Sequence, residues 1–129
     1  MTLPPLAPLR LSPLGHTWLI DVDGVICPHN GYLRGDDTLL PGVREFWARI
    51  PPSDRIVLLS ARDEVDRAAT LALMAAEGLR VDHALFGLPT GERILINDAK
   101  PSGLVTALAV NVARDAGLTD LVVEVSPDL

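Results

Sequence analysis

Short apolar runs alternate with helical patterns from residue 17 onward, which predicts an α/β fold with a mainly parallel sheet. Continuous apolar runs of this kind are typical of parallel strands, because such strands are buried on both faces. The predicted strands cover residues 17–20, 55–59, 81–86 and 93–96, then 106–112 (strand or helix, with strand preferred) and an edge strand within 121–125.

Two helices are predicted between these strands. The first begins near Pro41, since proline suits a first helical turn. The apolar side chains that it places on one side are Val43, Phe46, Trp47 and Ile50. The second covers residues 63–77, with acidic residues at its start and Gly78 just past its end.

Residues 1–16 are rich in leucine and proline and precede a single predicted domain over residues 17–129. The prolines oppose the unbroken apolar helix of a secretory signal, so we expect an extended tail that lies against the domain. No apolar run approaches the roughly 20 residues needed to cross a bilayer, which predicts that the chain has no membrane partner. The single cysteine, Cys27, excludes an intramolecular disulfide and favours a reducing, cytoplasmic location.

Composition and charge narrow the functional classes. Apolar residues make up 48% of the chain and charged residues 22%, as in a globular protein. The 17 acidic residues outnumber the 11 basic ones, and the formal charge of −6 argues against a nucleic-acid partner. Lys100 is the one lysine; the other basic residues are arginines.

Three of the apolar runs end in small polar clusters. The clusters are Asp21 with Asp23, Ser60 with Arg62, and Asn97 with Asp98. The carboxyl ends of parallel strands form the crevice in which open α/β sheets bind ligands. If the three strands are neighbours, the clusters converge there.

The residue types in these clusters predict phosphoryl transfer. Three carboxylates, those of Asp21, Asp23 and Asp98, need a cation in one small space, and Mg²⁺ prefers such oxygen ligands together with water and phosphate. Ser60 can donate a hydrogen bond to a phosphoryl oxygen, and Lys100 can supply positive charge. An anionic nucleophile, a cation and donors around the transferred group are the parts that this reaction needs.

The motifs resemble those of the haloacid dehalogenase-like hydrolases, which are mostly Mg²⁺-dependent phosphatases. The first motif is Asp21-Val22-Asp23-Gly24-Val25, the second Leu58-Leu59-Ser60-Ala61-Arg62, and the fourth Leu95-Ile96-Asn97-Asp98. The resemblance spans residues 17–112 and implies a three-layer Rossmann-like fold with a mainly parallel central sheet. The gaps between the motifs leave no room for a cap domain.

The resemblance also implies a role for each matched residue. Asp21 would attack phosphorus and form an aspartyl-phosphate, and Asp23 would serve as general acid and then base. The side chains of Asp21 and Asp98, with the carbonyl of Asp23, would bind Mg²⁺. Ser60 would contact the phosphate, and Asn97 would orient a metal-bound water.

One departure from the family concerns the cation of the third motif. The stretch Gly87-Leu88-Pro89 carries an apolar residue where that cation is expected. Lys100 is the proposed replacement, because a flexible ammonium group can reach a phosphate from several backbone positions. Arg93 stands at the start of a predicted strand and is therefore expected at the opposite end of the sheet.

Two further points stay open at this stage. Arg62 either contacts the substrate or pairs with Asp63 or Asp66 at the start of the second helix. A site without a cap either admits a bulky phosphorylated substrate or needs a neighbouring copy in a homo-oligomer to exclude water.

The sequence therefore predicts a capless, Mg²⁺-dependent phosphomonoester hydrolase that works through Asp21, with a phosphorylated substrate of unknown identity. One alternative is a catalytically weak module that binds a phosphorylated ligand or partner, favoured by Leu88 in the third motif. The other is a phosphotransferase that uses the same site with an acceptor other than water.

Overall fold

The computed structural model describes residues 6–129 and has an α/β fold built on parallel strands. Residues 1–5 of the predicted tail lie outside the described residues. The strands are β1 (Leu9–Leu11), β2 (Thr17–Asp21), β3 (Arg55–Leu59), β4 (His83–Leu85) and β5 (Val123–Val125). The helices in the described range are α1 (Val43–Ala48) and α2 (Arg67–Ala76), with 3₁₀ turns at Gly31–Arg34 and Glu64–Asp66.

The central sheet has the order β2-β3-β4, and both of its strand pairs are parallel. Asp21 at the end of β2 lies opposite Leu59 at the end of β3, which in turn lies opposite Leu85 of β4. The two strands therefore deliver their following residues to the same edge of the sheet, as the sequence predicts.

One face of this sheet forms the core with both helices. The residues buried there from β2 and β3 are Ile20, Ile56 and Leu58. They belong to one cluster with Val43, Phe46 and Trp47 of α1 and Met74 of α2. This agrees with the predicted apolar side of the first helix. Connections between parallel strands are usually right-handed. Two such connections that run in the same direction across the sheet place both helices on one face.

The opposite face of the sheet is open within the described part of the chain. Leu19 and Leu85 are each 50% exposed, and Val57 and Leu59, their neighbours on β3, are only partly buried. The α/β class with parallel strands is therefore confirmed. The third layer implied by the resemblance is not formed among residues 6–129.

The prediction of strands over residues 93–96 and 106–112 is wrong for this structure, which has no regular structure in either range. Ile94 and Ile96 are 81% and 91% exposed. An apolar run becomes a strand only when a neighbouring strand accepts its backbone hydrogen bonds and a face covers its side chains. Neither condition is met here. Within residues 6–129, β2 pairs only with β3 and the other edge of β2 is free, and the side chains of Ile94 and Ile96 are left exposed.

A second, two-stranded sheet joins the two ends of the described chain. β1 pairs in parallel with β5, with Arg10 opposite Glu124. Residues 9–11 of the predicted tail thus form a strand against residues of the predicted edge strand. No helix in the described range is long and apolar enough to cross a membrane.

Gly117 allows the chain to pass close to the start of α1. It has a φ of +83°, and a Cβ atom there would lie 2.1 Å from the Pro41 carbonyl oxygen. The neighbouring Leu118 is buried and donates its amide to that same oxygen at 2.8 Å. This contact holds the segment after residue 116 against the core.

We expect Gly117→Ala to lower the free energy of unfolding by about 2–4 kcal/mol, since it adds a backbone clash to an unfavourable φ. The matched control is Gly78→Ala, which has a φ of +73° but open space around the new Cβ atom. The control isolates the cost of the backbone conformation, about 1 kcal/mol. Urea denaturation of both variants measures the difference, and equal losses would show that the close approach to Pro41 is unimportant.

Candidate active site

The ends of β2 and β3 bring four of the predicted site residues together. Asp21 is the last residue of β2, and Ser60 directly follows β3. Asp23 and Arg62 each lie two residues beyond Asp21 and Ser60, respectively, and they contact each other. The convergence follows from the parallel register, which places residues 21 and 59 side by side.

The side chain of Asp21 is partly open to solvent, with 42% of its surface exposed. Its Oδ1 atom accepts the amide of Val22 at 3.0 Å. Burial of the remainder raises the pKa of Asp21 above its ordinary value, although Arg93 and the Val22 amide both act in the opposite direction. A carboxylate that is partly stripped of water at the mouth of a sheet is suited to react with an electrophile.

Arg93 is the basic side chain next to Asp21. Its Nη1 atom lies 3.9 Å from Asp21 Oδ1. The expectation that Arg93 lies at the opposite end of the sheet is therefore wrong. The expectation assumed a strand over residues 93–96, and without that strand the segment can turn its first residue toward the carboxyl end of β2.

Asp23 forms a two-pronged ion pair with Arg62. The Nε and Nη2 atoms of Arg62 donate to the two carboxylate oxygens of Asp23 at 3.1 and 2.9 Å. Only 1% of the Arg62 side-chain surface and 17% of that of Asp23 are exposed. The pairing fixes the direction of the Asp23 carboxylate, because a guanidinium fork and a carboxylate match in one plane.

Arg62 binds a second carboxylate, that of Asp37, which lies outside the three predicted clusters. Its Nη1 and Nη2 atoms donate to Asp37 at 3.0 and 2.8 Å, and Nη1 also donates to Thr70 Oγ1 at 3.1 Å. The ring of Tyr32 covers the guanidinium, whose central carbon lies 4.0 Å from the ring centre. These contacts use all five N–H groups of Arg62.

The charges of this cluster reinforce one another. Burial disfavours the charged form of Arg62, but hydrogen bonds to Asp37 and Asp23 outweigh it and raise the pKa of Arg62 above its ordinary value. The hydrogen bond from Arg62 in turn lowers the pKa of Asp37.

Of the two sequence-based interpretations of Arg62, the structure bears on the pairing at the start of the helix, and the substrate contact stays a prediction. The predicted pairing with Asp63 or Asp66 is wrong: the partners are Asp23 and Asp37, because neighbouring strands bring the β2 loop closer than the start of the helix. In this conformation Arg62 has no N–H group left for a substrate.

Ser60 is 1% exposed, and its hydroxyl oxygen accepts the amide of Arg62 at 3.0 Å. That bond leaves the hydroxyl hydrogen free to donate. The backbone of Ser60 is also fixed, since its amide donates to Leu85 and its carbonyl accepts the amide of Leu88.

Cys27 is fully buried, and burial raises the pKa of its thiol to about 12. Such a thiol is protonated at neutral pH and is not a nucleophile.

The structure does not bring Asn97, Asp98 or Lys100 to this cluster. All three are exposed, and the hydrogen bonds of their segment are local. Asn97 donates to Thr106 Oγ1 at 3.0 Å, and the Lys100 carbonyl accepts the amide of Gly103 at 2.9 Å. The expected convergence of three clusters is thus limited to two, because no strand carries residues 97–100 to the carboxyl edge of the sheet.

The arrangement of carboxylates bears directly on the expected magnesium site. Among residues 6–129, no group of three or more His, Cys, Asp or Glu side chains is placed to hold a metal ion. Asp98, one of the two expected side-chain ligands, belongs to the exposed segment. In this conformation the residues present do not form the expected Mg²⁺ site.

The residues that sequence reasoning missed share one property: their role depends on contacts between distant segments. Asp37, Thr70 and Tyr32 all converge on Arg62 from different parts of the chain. The one signal in the sequence is the aromatic residue Tyr32 in the loop after the first motif.

Comparison of the chain with protein-family models, with curated proteins and with solved structures finds no significant match. The family resemblance therefore rests on the three motifs alone, and the fold and site define an α/β protein with a carboxylate and arginine cluster at the carboxyl edge of its sheet.

Proposed function

We propose that this protein hydrolyses phosphomonoesters through a covalent aspartyl-phosphate on Asp21. The observation that carries the proposal is the position of Asp21, a half-exposed carboxylate at the carboxyl end of β2 with a pKa raised by burial. Arg93 and the oriented Asp23 flank it, so positive charge and a proton carrier are both at hand.

The proposed reaction has two steps. First, a carboxylate oxygen of Asp21 attacks phosphorus, the bond from phosphorus to the ester oxygen breaks, and that oxygen takes a proton from Asp23. Second, Asp23 removes a proton from water, the water oxygen attacks phosphorus, and the bond from phosphorus to Asp21 breaks to release inorganic phosphate. Each Asp23 oxygen keeps a lone pair beyond its bond to Arg62, so the ion pair orients Asp23 without blocking it.

Ser60 and the basic side chains serve the phosphoryl group in this proposal. Ser60 donates its free hydroxyl hydrogen to a phosphoryl oxygen. Arg93, beside Asp21, supplies the positive charge that Leu88 does not, and Lys100 remains the candidate proposed from the sequence. Mg²⁺, when bound, screens the negative charge of the carboxylates and the phosphoryl group.

We further propose that the competent form has the three layers that the resemblance implies, with residues 94–112 on the open sheet face and Arg93 still beside Asp21. The open sheet face and residues 94–112 both expose apolar side chains, and covering one with the other would bury both. This movement would carry Asp98 and Asn97 toward Asp21, where Asp98 would bind Mg²⁺ with the Asp21 side chain and the Asp23 carbonyl, and Asn97 would orient a metal-bound water.

A panel of phosphomonoesters assayed with and without Mg²⁺ tests the proposed function. We expect metal-dependent release of inorganic phosphate from at least one substrate. The alternative, a module that binds a phosphorylated ligand without turning it over, is favoured by the separation of Asp98 from Asp21. Binding of a phosphorylated ligand with no hydrolysis under any metal condition would support that alternative.

Arg93→Ala tests which cation serves the phosphoryl group. We expect kcat/KM to fall by roughly tenfold to a hundredfold, because a charge beside the nucleophile is lost. Lys100→Ala is the comparison variant, and steady-state kinetics on one substrate measures both. An unchanged Lys100→Ala variant would assign the role to Arg93 alone, and an unchanged Arg93→Ala variant would remove Arg93 from the site.

A further inference from the structure

Asp37 reaches Arg62 from a loop whose residues just before it, 33–36, are exposed. The 3₁₀ turn at Gly31–Arg34 lies between two residues in the left-handed conformation, Asn30 with a φ of 56° and Gly35 with a φ of 72°. The Asp37 carboxylate accepts two hydrogen bonds from Arg62, at 3.0 and 2.8 Å. Once its bonds to Arg62 are replaced, Asp37 can therefore move with the exposed residues 33–36 without uncovering the core.

Asp23 is held much more firmly than Asp37. It directly follows Val22 and precedes Ile26, both of which are completely buried, and it is bridged to Cys27 through the backbone. Its side chain is 17% exposed, against 27% for Asp37. If one of the two carboxylates leaves Arg62, it is that of Asp37.

The electrostatics of the cluster also favour such an exchange. Two carboxylates share one guanidinium, and the Oδ1 atoms of both contact the same Nη2 atom at 2.9 and 2.8 Å. Each carboxylate is attracted to Arg62, but the two like charges that meet at this donor group repel each other, and departure of one relieves that repulsion. The second prong of the guanidinium fork, now on Asp37, has the geometry that binds a phosphate in two-pronged fashion.

We propose that Arg62 is a masked binding site for a phosphate-type anion and that Asp37 occupies this site in the resting form. Binding of the anion displaces the Asp37 carboxylate from Nη1 and Nη2, and it releases the loop of residues 30–37 together with the Tyr32 ring that covers the guanidinium. This inference rests on the proposed function, since the anion is the phosphoryl group of the substrate or the phosphate product.

Binding of inorganic phosphate, measured by titration calorimetry at constant ionic strength, tests the proposal without turnover. We expect Asp37→Asn to bind phosphate roughly tenfold more tightly than the wild type, because the competing charge is gone. The matched control is Asp36→Asn, which removes the same charge from the neighbouring residue. The Asp36 side chain is exposed and contacts Thr38, not Arg62. Equal affinities for the two variants would overturn the proposal.

Hydrogen exchange on the wild-type protein gives a second readout that needs no variant to fold. The amides of Leu33 and Asp36 donate to Asn30 and Gly31 within the loop. We expect phosphate to accelerate their exchange, and unchanged exchange at saturating phosphate would also overturn the proposal. Tighter binding by Asp37→Asn with no hydrolysis of any substrate would instead count against the proposed function alone.

Discussion

Replacing Arg62 with methionine is expected to lower the free energy of unfolding by about 3–5 kcal/mol, the cost of removing one partner from a buried ion pair. The guanidinium is 1% exposed and is bonded to Asp23, Asp37 and Thr70. Methionine leaves both carboxylates without their counter-charge in a partly buried site. It also frees the loop that carries Tyr32, which stacks on the guanidinium.

The control for Arg62→Met is Arg44→Met. Arg44 pairs with Glu77, but 64% of its side-chain surface is exposed, so the loss there should stay below about 1 kcal/mol. Chemical denaturation of the two variants under the same conditions gives the comparison. Similar losses at both positions would show that the buried cluster is not a major source of stability.

The pH dependence gives a further check on the Arg62 variant. Because the pKa of Asp37 is lowered in the folded state, its contribution is fully present above its unfolded pKa, about 3.9, and is lost as the pH falls below it. In Arg62→Met this contribution is absent, so we expect a weaker loss of stability on acidification than in the wild type.

Asp21→Asn is expected to reduce metal-dependent hydrolysis by at least about 10³-fold, since an amide cannot serve as the nucleophile. The same variant should be at least as stable as the wild type. Burial raises the pKa of Asp21, so its charged form opposes folding, and a neutral side chain of the same shape removes that cost. Lost activity with retained stability separates a chemical role from a structural one.

The control for Asp21→Asn is Asp120→Asn, at an exposed position outside the site, which should leave both quantities unchanged. Initial-rate assays and thermal unfolding of the three proteins measure the two effects. A stable Asp21→Asn variant that retains full turnover would remove Asp21 from the mechanism.

The parts of the fold that the sequence predicts well are those in which the pattern itself reports burial. Strand β3 spans residues 55–59 as predicted, in the centre of the sheet, but the expected burial of both of its faces is wrong because only the side of Ile56 and Leu58 is covered. The predicted apolar side of α1 is also buried. Residues 93–96 carry an equally apolar run, but a strand also needs a partner, and the pattern contains no information about one.

The residues of the candidate site also fall into those that the strand pattern predicts and those that only the fold brings together. Asp21, Asp23 and Ser60 could be found because each follows an apolar strand, and parallel strands end at a common edge. The partners of Arg62 could not be found, since Asp37 and Thr70 contact it across 25 and 8 positions of the chain, respectively, through the fold alone. Arg93 was misplaced because its expected position depended on a strand that does not form.

Trapping of the phosphorylated protein tests the central claim most directly. The wild type is mixed with Mg²⁺ and an intact phosphomonoester that it hydrolyses in the panel assay. The mixture is quenched during turnover and reduced with borohydride, which converts an aspartyl-phosphate to homoserine. We expect peptide mass spectrometry to find homoserine at position 21 in the wild type and no such product in Asp21→Asn. An unmodified aspartate at position 21 throughout active turnover would contradict the proposed mechanism.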